Sequence, residues 1–455
     1  MKLQLIINAN RHEIECTPAE TLLAVVRRLG YYGVKFGDEQ GLSGADTVLL
    51  DGKPVNAGSM LAAQAEGHNI VTIEGLGEHP EQGWKKTEGL HPLQQAFVES
   101  GAIQCGYCTP AQILAAKALL DRNPNPSEDQ VRDAIAGVLC RCTGYVKPVQ
   151  AVLQAAAVLR GDEPVNWDSV NWDLGSWSDQ PPGDQPTNLP SDQFANLLTR
   201  PKVVVTPQTQ TYQTVGKPEK KVDAVKLVQG KPAFTADIEL RGMLYARVLR
   251  SQHAHARIKK IDTSKARELK GVAAVLTWQD IPRVIYSTAG QSDPIPGPLD
   301  TFSLDNKVRF VGDRVAMVAA ESTEIAEKAL SLIDVEYEIL DAILDSREAM
   351  DSNAPRIHDE PEFVNFADSN PARNLAAEIR IDIGDVEKGF KEADEIFEAA
   401  YEVPKVQQAH IEPHVCVTYW DEDDRLVIRT STQVPFHVRR MLASVLNLPV
   451  KRIRV

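Results

Sequence analysis

The chain has 455 residues, too many for one hydrophobic core, so three or four domains are expected. It is 43% hydrophobic and 25% charged, the balance of a soluble globular protein, and a formal net charge of −14 argues against binding nucleic acid through its phosphates. No apolar run is long enough to span a membrane, and the apolar patch at Met1–Ile7 is too short for a signal peptide and lacks a small-residue cleavage site. The expectation is a cytoplasmic, reducing compartment, in which the isolated Cys16 and Cys416 are buried thiols.

Residues 2–8 and 12–16 read as two strands of a hairpin turning at Asn8–Arg11. Thr17-Pro18-Ala19-Glu20 has the pattern of a capping box with proline at the first helical position. The helix expected after it carries Leu22, Leu23, Val26 and Leu29 on one face and stops at Gly30. A strand at Thr47–Leu50, a turn at Asp51-Gly52 and a strand near Asn69–Ile73 complete a β-grasp pattern over residues 1–76.

In that setting the loop Gly33–Asp46 resembles a plant-type ferredoxin loop, whose signature is C-x4-C-x2-C plus a distant fourth cysteine. On that spacing the ligand positions hold Asp38, Ser43 and Asp46, and the fourth, after Val55-Asn56-Ala57, is Gly58. Hard oxygen donors and a glycine do not replace four soft thiolates, so this loop is read as a retained scaffold without a cluster. A divalent cation held loosely by Asp38 and Asp46 is the lesser alternative.

A linker at Gly77–Glu88 leads to a helical segment, placed at residues 84–160. Leu93, Ala96 and Phe97 stripe its first helix; Thr109-Pro110 opens a second carrying Ile113, Leu114, Ala116, Leu119 and Leu120. Asn123–Pro126 breaks it, Ser127-x-x-Gln130 is a capping box, and Val131, Ile135, Val138 and Leu139 are expected to face inward. A last helix, Val146–Leu159, completes a four-helix bundle with both cysteine pairs on loops at one end.

Those pairs are Cys105 and Cys108 in QCGYCTP, and Cys140 and Cys142 in LCRCTGY, as C-x2-C and C-x-C with 31 residues between. Two pairs of thiolates, each on a turn at a helix end, suit two iron atoms with one pair per iron, the all-cysteine ligation of a [2Fe–2S] cluster. A structural zinc site also takes four cysteines, but its knuckles are usually C-x2-4-C on both sides, which C-x-C fits poorly. A disulfide pair would need export, which nothing in the chain signals.

QCGYCTP followed by LCRCTGY resembles the helical [2Fe–2S] domain of the molybdenum hydroxylases, the xanthine dehydrogenase and aldehyde oxidase family. The resemblance implies that Gln104 and Cys142 lie beside the pterin of a molybdopterin-type molybdenum cofactor. The alternative for Gln104 is a plain helix-end cap.

From 161 to 214 the chain turns rich in Pro, Asp, Ser and Gly, with Trp167, Trp172 and Trp177 at intervals of five, a period of neither helix nor strand. It reads as an extended linker too short for the flavin domain of the long eukaryotic relatives. Residues 215–345 then alternate strand-like runs at Leu244–Ser251, Val272–Leu276, Val311–Ala320 and Asp334–Glu338 with an amphipathic helix at Ser322–Ile333. This part resembles the a/b hammerhead domain of the same family. His253 and His255, which would share a strand face, are read as packing residues rather than a metal pair, no third ligand being nearby.

Residues 374–455, with Val403–His414 and Thr430–Phe436, resemble the start of the molybdopterin-binding α+β domain. Glu412 and His414 invite an acid–base pairing, but the resemblance implies that this segment shapes the substrate channel and the domain core instead. The family's glycine-rich cofactor loop and catalytic glutamate are expected beyond residue 455, so no catalytic residue is assigned, and residues 1–455 alone are expected to be inactive.

The resemblance implies a multidomain α+β protein that forms the iron–sulfur and hammerhead portion of a molybdenum-dependent hydroxylase. It would carry one [2Fe–2S] cluster and work with a C-terminal molybdopterin-binding continuation or subunit, with a flavin subunit or other electron acceptor. The substrate would be a purine, another N-heterocycle or an aldehyde. The rival readings are a stand-alone, non-catalytic [2Fe–2S] electron-transfer or assembly subunit, and a zinc-stabilised structural protein.

Overall fold

The structure, a computed structural model, describes residues 1–38, 40–77, 89–162, 219–288 and 297–455. The linker indoles Trp167, Trp172 and Trp177 and the restart at Val215–Lys217 lie outside the described residues. The chain divides into two compact units, Met1–Ala233 with Val406–Pro413, and Phe234–Lys405 with His414–Val455.

The first unit opens with a five-stranded sheet. Strands β1 (Lys2–Ile7) and β2 (Asn10–Glu15) form the expected hairpin, tightened by positive φ at Asn8 and Ala9. Helix α1 (Leu22–Arg28), β3 (Thr47–Leu50), β4 (Lys53–Asn56) and β5 (Asn69–Val71) follow, in sheet order β2-β1-β5-β3-β4. Alternate residues Leu3, Leu5 and Ile7 of β1 join Leu22, Val25, Val26, Val48 and Ile70 in a dry core, the period-2 and helical stripes meeting on one side of the sheet. The Thr17 box does not start α1. Thr17 and Glu20 close a turn, and the N-cap is Thr21, whose hydroxyl accepts the Ala24 N–H at 3.2 Å while Leu22 N–H donates to Met60 at 2.8 Å.

The helical part contains α2 (Pro92–Glu99), α3 (Thr109–Leu120), α4 (Glu128–Ile135) and α5 (Val146–Arg160). The Ser127 box forms in both directions, at 3.3 and 2.9 Å, and aligns α4. Helix α3 is buried around nearly its whole circumference because it packs on α2, α4 and α5 and also on β3 and β4 of the sheet. Leu139 departs from its expected place: α4 ends at Ile135, so Leu139 escapes the helical stripe and is 44% exposed. Beyond the linker, α6 (Ala224–Val228) returns to this unit, burying Ala224, Val225, Leu227 and Val228.

In the second unit, β6 (Tyr245–Arg250), β7 (Ala256–Asp262), α7 (Ser264–Glu268), β8 (Val272–Thr277), β9 (Lys307–Val308), β10 (Arg314–Ala320), α8 (Thr323–Leu330) and β11 (Asp334–Ile339) make two three-stranded sheets, β6-β10-β8 and β11-β7-β9. Val275, Ala316, Val318, Ala320, Ala326 and Ala329 form the core between the first sheet and α8. A short α9 (Val386–Glu392) stands in a long exposed stretch in which Ile379, Ile381 and Ile383 alternate at 77–84% exposure. Strands β12 (Cys416–Trp420) and β13 (Leu426–Thr430), α10 (Pro435–Val445) and β14 (Ile453–Arg454) close the chain, with order β12-β13-β14. Cys416, expected buried, is exposed at the start of edge strand β12; Cys16 is buried as expected.

Candidate metal centre

Each cysteine pair sits where a helix begins. Cys108 is the residue before α3, and Thr109 and Pro110 supply its first turn, where proline's missing N–H costs nothing. Gly106 holds φ +86°, and a Cβ there would meet Leu227 Cδ1 at 2.6 Å, so both conformation and space require glycine. The second loop is closed by Tyr145, which has φ +66° and stands just before α5. Its hydroxyl accepts the Cys140 N–H at 2.8 Å, and its own N–H donates to Thr143 Oγ1 at 3.2 Å. Thr143 Oγ1 also lies 3.1 Å from Cys140 Sγ.

The two loops face each other. Cys108 stands beside Cys140, and Cys105 beside Cys142. Cys108 and Cys140 are buried with Ala111, Ala115 and Val138, whereas Gln104, Cys105, Arg141 and Cys142 form an exposed rim. The hydrogen bond from Cys108, aided by Thr143, holds the Cys140 thiol down at about 5, while that same bond and burial push Cys108 well up. Burial raises Cys105 to about 11, with Cys142 beside it adding to the rise.

This donor set fits a two-iron cluster. Four sulfurs meet two by two, and each iron of such a cluster takes two of them.

Three family descriptions match in succession: the [2Fe-2S] binding domain over residues 72–153, the aldehyde oxidase and xanthine dehydrogenase a/b hammerhead domain over 229–341, and the molybdopterin cofactor-binding domain over 366–455. The small FeS subunit of nicotinate dehydrogenase from Eubacterium barkeri is 44% identical over 154 residues, 34% of this chain and 93% of that subunit. The chain belongs to the xanthine dehydrogenase and aldehyde oxidase family of molybdenum hydroxylases.

Within this family, the probable hypoxanthine oxidase XdhD of Escherichia coli is 35% identical over 481 aligned positions, 100% of this chain and 46% of XdhD. The solved aldehyde oxidoreductase of Desulfovibrio desulfuricans superposes with a TM-score of 0.76 at 30% identity, covering 99% of this chain and 45% of that one. The chain thus spans about half the length of the curated relatives it matches end to end. Nicotinate dehydrogenase divides the same sequence between two polypeptides: its large molybdopterin subunit is 34% identical over 245 residues, 54% of this chain. The [2Fe-2S] binding and molybdopterin cofactor-binding descriptions therefore both match within one chain here.

The ferredoxin-type loop carries none of the thiols such a cluster needs. Asp38 Oδ1 accepts the N–H groups of Gln40 and Leu42 at 2.7 and 2.9 Å, and Oδ2 accepts that of Ser43 at 2.7 Å. Burial raises the Asp38 carboxyl, but the Ser43 hydroxyl and these amides outweigh it and hold it at about 2. Asp46 is buried and accepts the Gly58 N–H at 2.5 Å, joining the third and fourth ligand positions directly. Burial pushes its carboxyl up. These oxygens are engaged with the protein's own backbone.

His253 and His255 do not share a strand face. Both precede β7; His255 is buried with Nδ1 2.7 Å from the Asp341 carbonyl, and His253 packs edge-on to Tyr337 at 4.8 Å. Glu412 and His414 lie in a stretch without regular structure before β12. Sequence reasoning missed three contributors to the centre: Tyr145, whose hydroxyl orders the second loop; Leu227, packed over Gly106; and Tyr107, whose hydroxyl donates to the Phe36 carbonyl at 2.5 Å. A tyrosine next to each cysteine pair was the one available signal.

Proposed function

We propose that this chain is the iron–sulfur, hammerhead and cofactor-domain portion of a molybdenum-dependent hydroxylase acting on a purine-type N-heterocycle, with hypoxanthine the first substrate to try. The observation that carries the proposal is the pair of facing cysteine loops, buried at Cys108 and Cys140 and open at Cys105 and Cys142. Cys105, Cys108, Cys140 and Cys142 would hold one [2Fe–2S] cluster, which supplies one-electron transfer. The choice of a purine rests on the 35% identity to XdhD along the whole of this chain.

Gln104 and Cys142 would contact the pterin of the molybdenum cofactor. Both are exposed on the same rim, and the Gln104 amide both donates and accepts. The partner would be a molybdopterin-binding polypeptide, in cis or as a second chain. The exposed stripe Ile379, Ile381 and Ile383 supports this, because alternate apolar residues are the buried face of a strand once covered.

An aldehyde is the second reading, favoured by the identity to aldehyde oxidoreductases over nearly the whole chain. The test is dye reduction by this chain together with its molybdopterin-binding counterpart, offered hypoxanthine, xanthine and aldehydes in parallel. Turnover of the purines but not the aldehydes is expected. Turnover of aldehydes alone selects the second reading, and no turnover with an iron-loaded, molybdenum-loaded protein sinks both.

A further inference from the structure

The loop around Asp38 has lost its ligands and kept its shape. A ferredoxin-type loop curls its backbone around an anionic cluster, whose sulfurs accept hydrogen bonds from it. Without a cluster those N–H groups need another acceptor, water or a side chain. Here the side chain at the first ligand position turns inward and supplies the anion. Asp38 takes three backbone N–H groups at 2.7–2.9 Å, charge-assisted bonds that are about twice as strong as neutral ones. Gly41 and Gly44, at φ +72° and +65°, let the chain bend tightly enough for this.

The loop also touches both cysteine loops. The Phe36 carbonyl accepts the hydroxyl of Tyr107, the residue next to Cys108. The Ser43 carbonyl accepts the N–H of Leu139, the residue next to Cys140. Between them Gly44 packs so close to the Gly137 carbonyl that a Cβ would lie 2.0 Å from it. Two of these contacts therefore stand one residue from a sulfur, and the loop that makes them is folded around Asp38.

We infer that Asp38 is a positioning residue for the metal centre: its carboxylate replaces a cluster in shaping the loop, and the loop in turn sets both cysteine pairs through Phe36 and Ser43. This rests on the reading of the four cysteines as cluster ligands. Plain domain packing would make the same contacts matter for stability alone. A positioning role makes them matter for the electronic state of the cluster, since hydrogen bonding and solvent access around the sulfurs set its potential.

The test uses the full chain, reconstituted with iron and sulfide, as wild type, Asp38→Ala and Tyr107→Phe. Both variants should load the cluster. Asp38→Ala should broaden or shift the EPR signal of the reduced cluster, move its midpoint potential and bleach about tenfold faster under chelator, because the loop now opens locally. Tyr107→Phe, which removes one hydroxyl and keeps the ring, should shift the same observables in the same direction. Adding it to Asp38→Ala should change little, as the loop that holds the Tyr107 contact is already loosened. If both variants match wild type in spectrum, potential and bleaching rate, the inference is wrong while the cluster reading stands. A wild-type chain that takes up no iron removes the cluster reading and this inference with it.

Discussion

The backbone N–H of Leu139 donates to the Ser43 carbonyl at 2.8 Å, so a loop with no remaining thiols is bonded to the residue preceding Cys140. That bond also accounts for the exposure of the Leu139 side chain: its backbone faces the β-grasp part and its side chain turns to solvent. Through that bond the loop takes part in supporting the neighbouring helical part.

The Asp38 carboxylate gives the loop a defined acid limit. Its folded value of about 2 lies below the ordinary 3.8, so its contribution is complete above pH 4 and is lost as the pH falls through 4 towards 2. Allowing for partial solvent exposure, it is on the order of 1–2 kcal/mol. Urea melts of wild type and Asp38→Asn should differ by that amount at pH 7, with the gap closing below pH 4. A gap unchanged at pH 2.5 would mean that the charge does not matter.

Iron analysis separates one cluster from two. The anaerobically purified chain should carry about two irons and two acid-labile sulfides. Replacing Cys105, Cys108, Cys140 or Cys142 by alanine should bleach it, whereas Cys16→Ala and Cys416→Ala should not. Two distinct EPR signals in the reduced protein would contradict the assignment of the Asp38 loop as a scaffold.

The return of the chain at α6 should matter to the same centre. Leu227 is 3% exposed and covers Gly106 between the first two cysteines. Leu227→Ala should cost about 2–4 kcal/mol by cavity formation and speed bleaching of the visible absorbance. Gly106→Ala should lower cluster loading, because alanine is strained at φ +86° and meets Leu227 as well. Normal loading and bleaching in both would show that α6 merely packs nearby.

How much could be read in advance depended on whether the signal was local. The Ser127–Gln130 box, the turns at Asn8-Ala9 and Asp51-Gly52 and the breaks at Gly30 and Asn123–Pro126 all form where their residue types place them. The similar Thr17–Glu20 pattern misled, because tertiary bonding of Leu22 to Met60 sets the helix start one turn later. The four cysteines were legible as a set from spacing. The hydrogen bonding of Asp38 was not, nor was the contact of its loop with Leu139 and Gly137, 93 or more residues away in sequence. Strands β7 and β9 were missed for a related reason: β9 is two residues long and exists through its pairing with β7.

Lys307 offers a test in the second unit. It lies in β9 opposite Arg257 of β7, and its side chain is 2% exposed. Its ammonium donates to Asp359 at 2.8 Å and to the Ile357 carbonyl at 2.7 Å, and Arg257 reaches the same carboxylate from the neighbouring strand. Burial lowers the Lys307 pKa, with the bond to Asp359 opposing it, so the charge is held by its partners rather than by water. Lys307→Met keeps the stem but leaves a carbonyl without its donor and Asp359 with one cation fewer. The expected cost is about 1–3 kcal/mol, because the Ile357 carbonyl loses its donor while Asp359 keeps only Arg257. Hydrogen exchange should show it as faster opening of residues 256–262, the strand that β9 pairs with. A double substitution, Lys307→Met with Asp359→Leu, should recover part of the loss, since the carboxylate goes with its lysine and Arg257, 41% exposed, is left to water. If the single variant melts within about 0.5 kcal/mol of wild type, in the range of ordinary surface changes, the pair contributes nothing to the hammerhead fold.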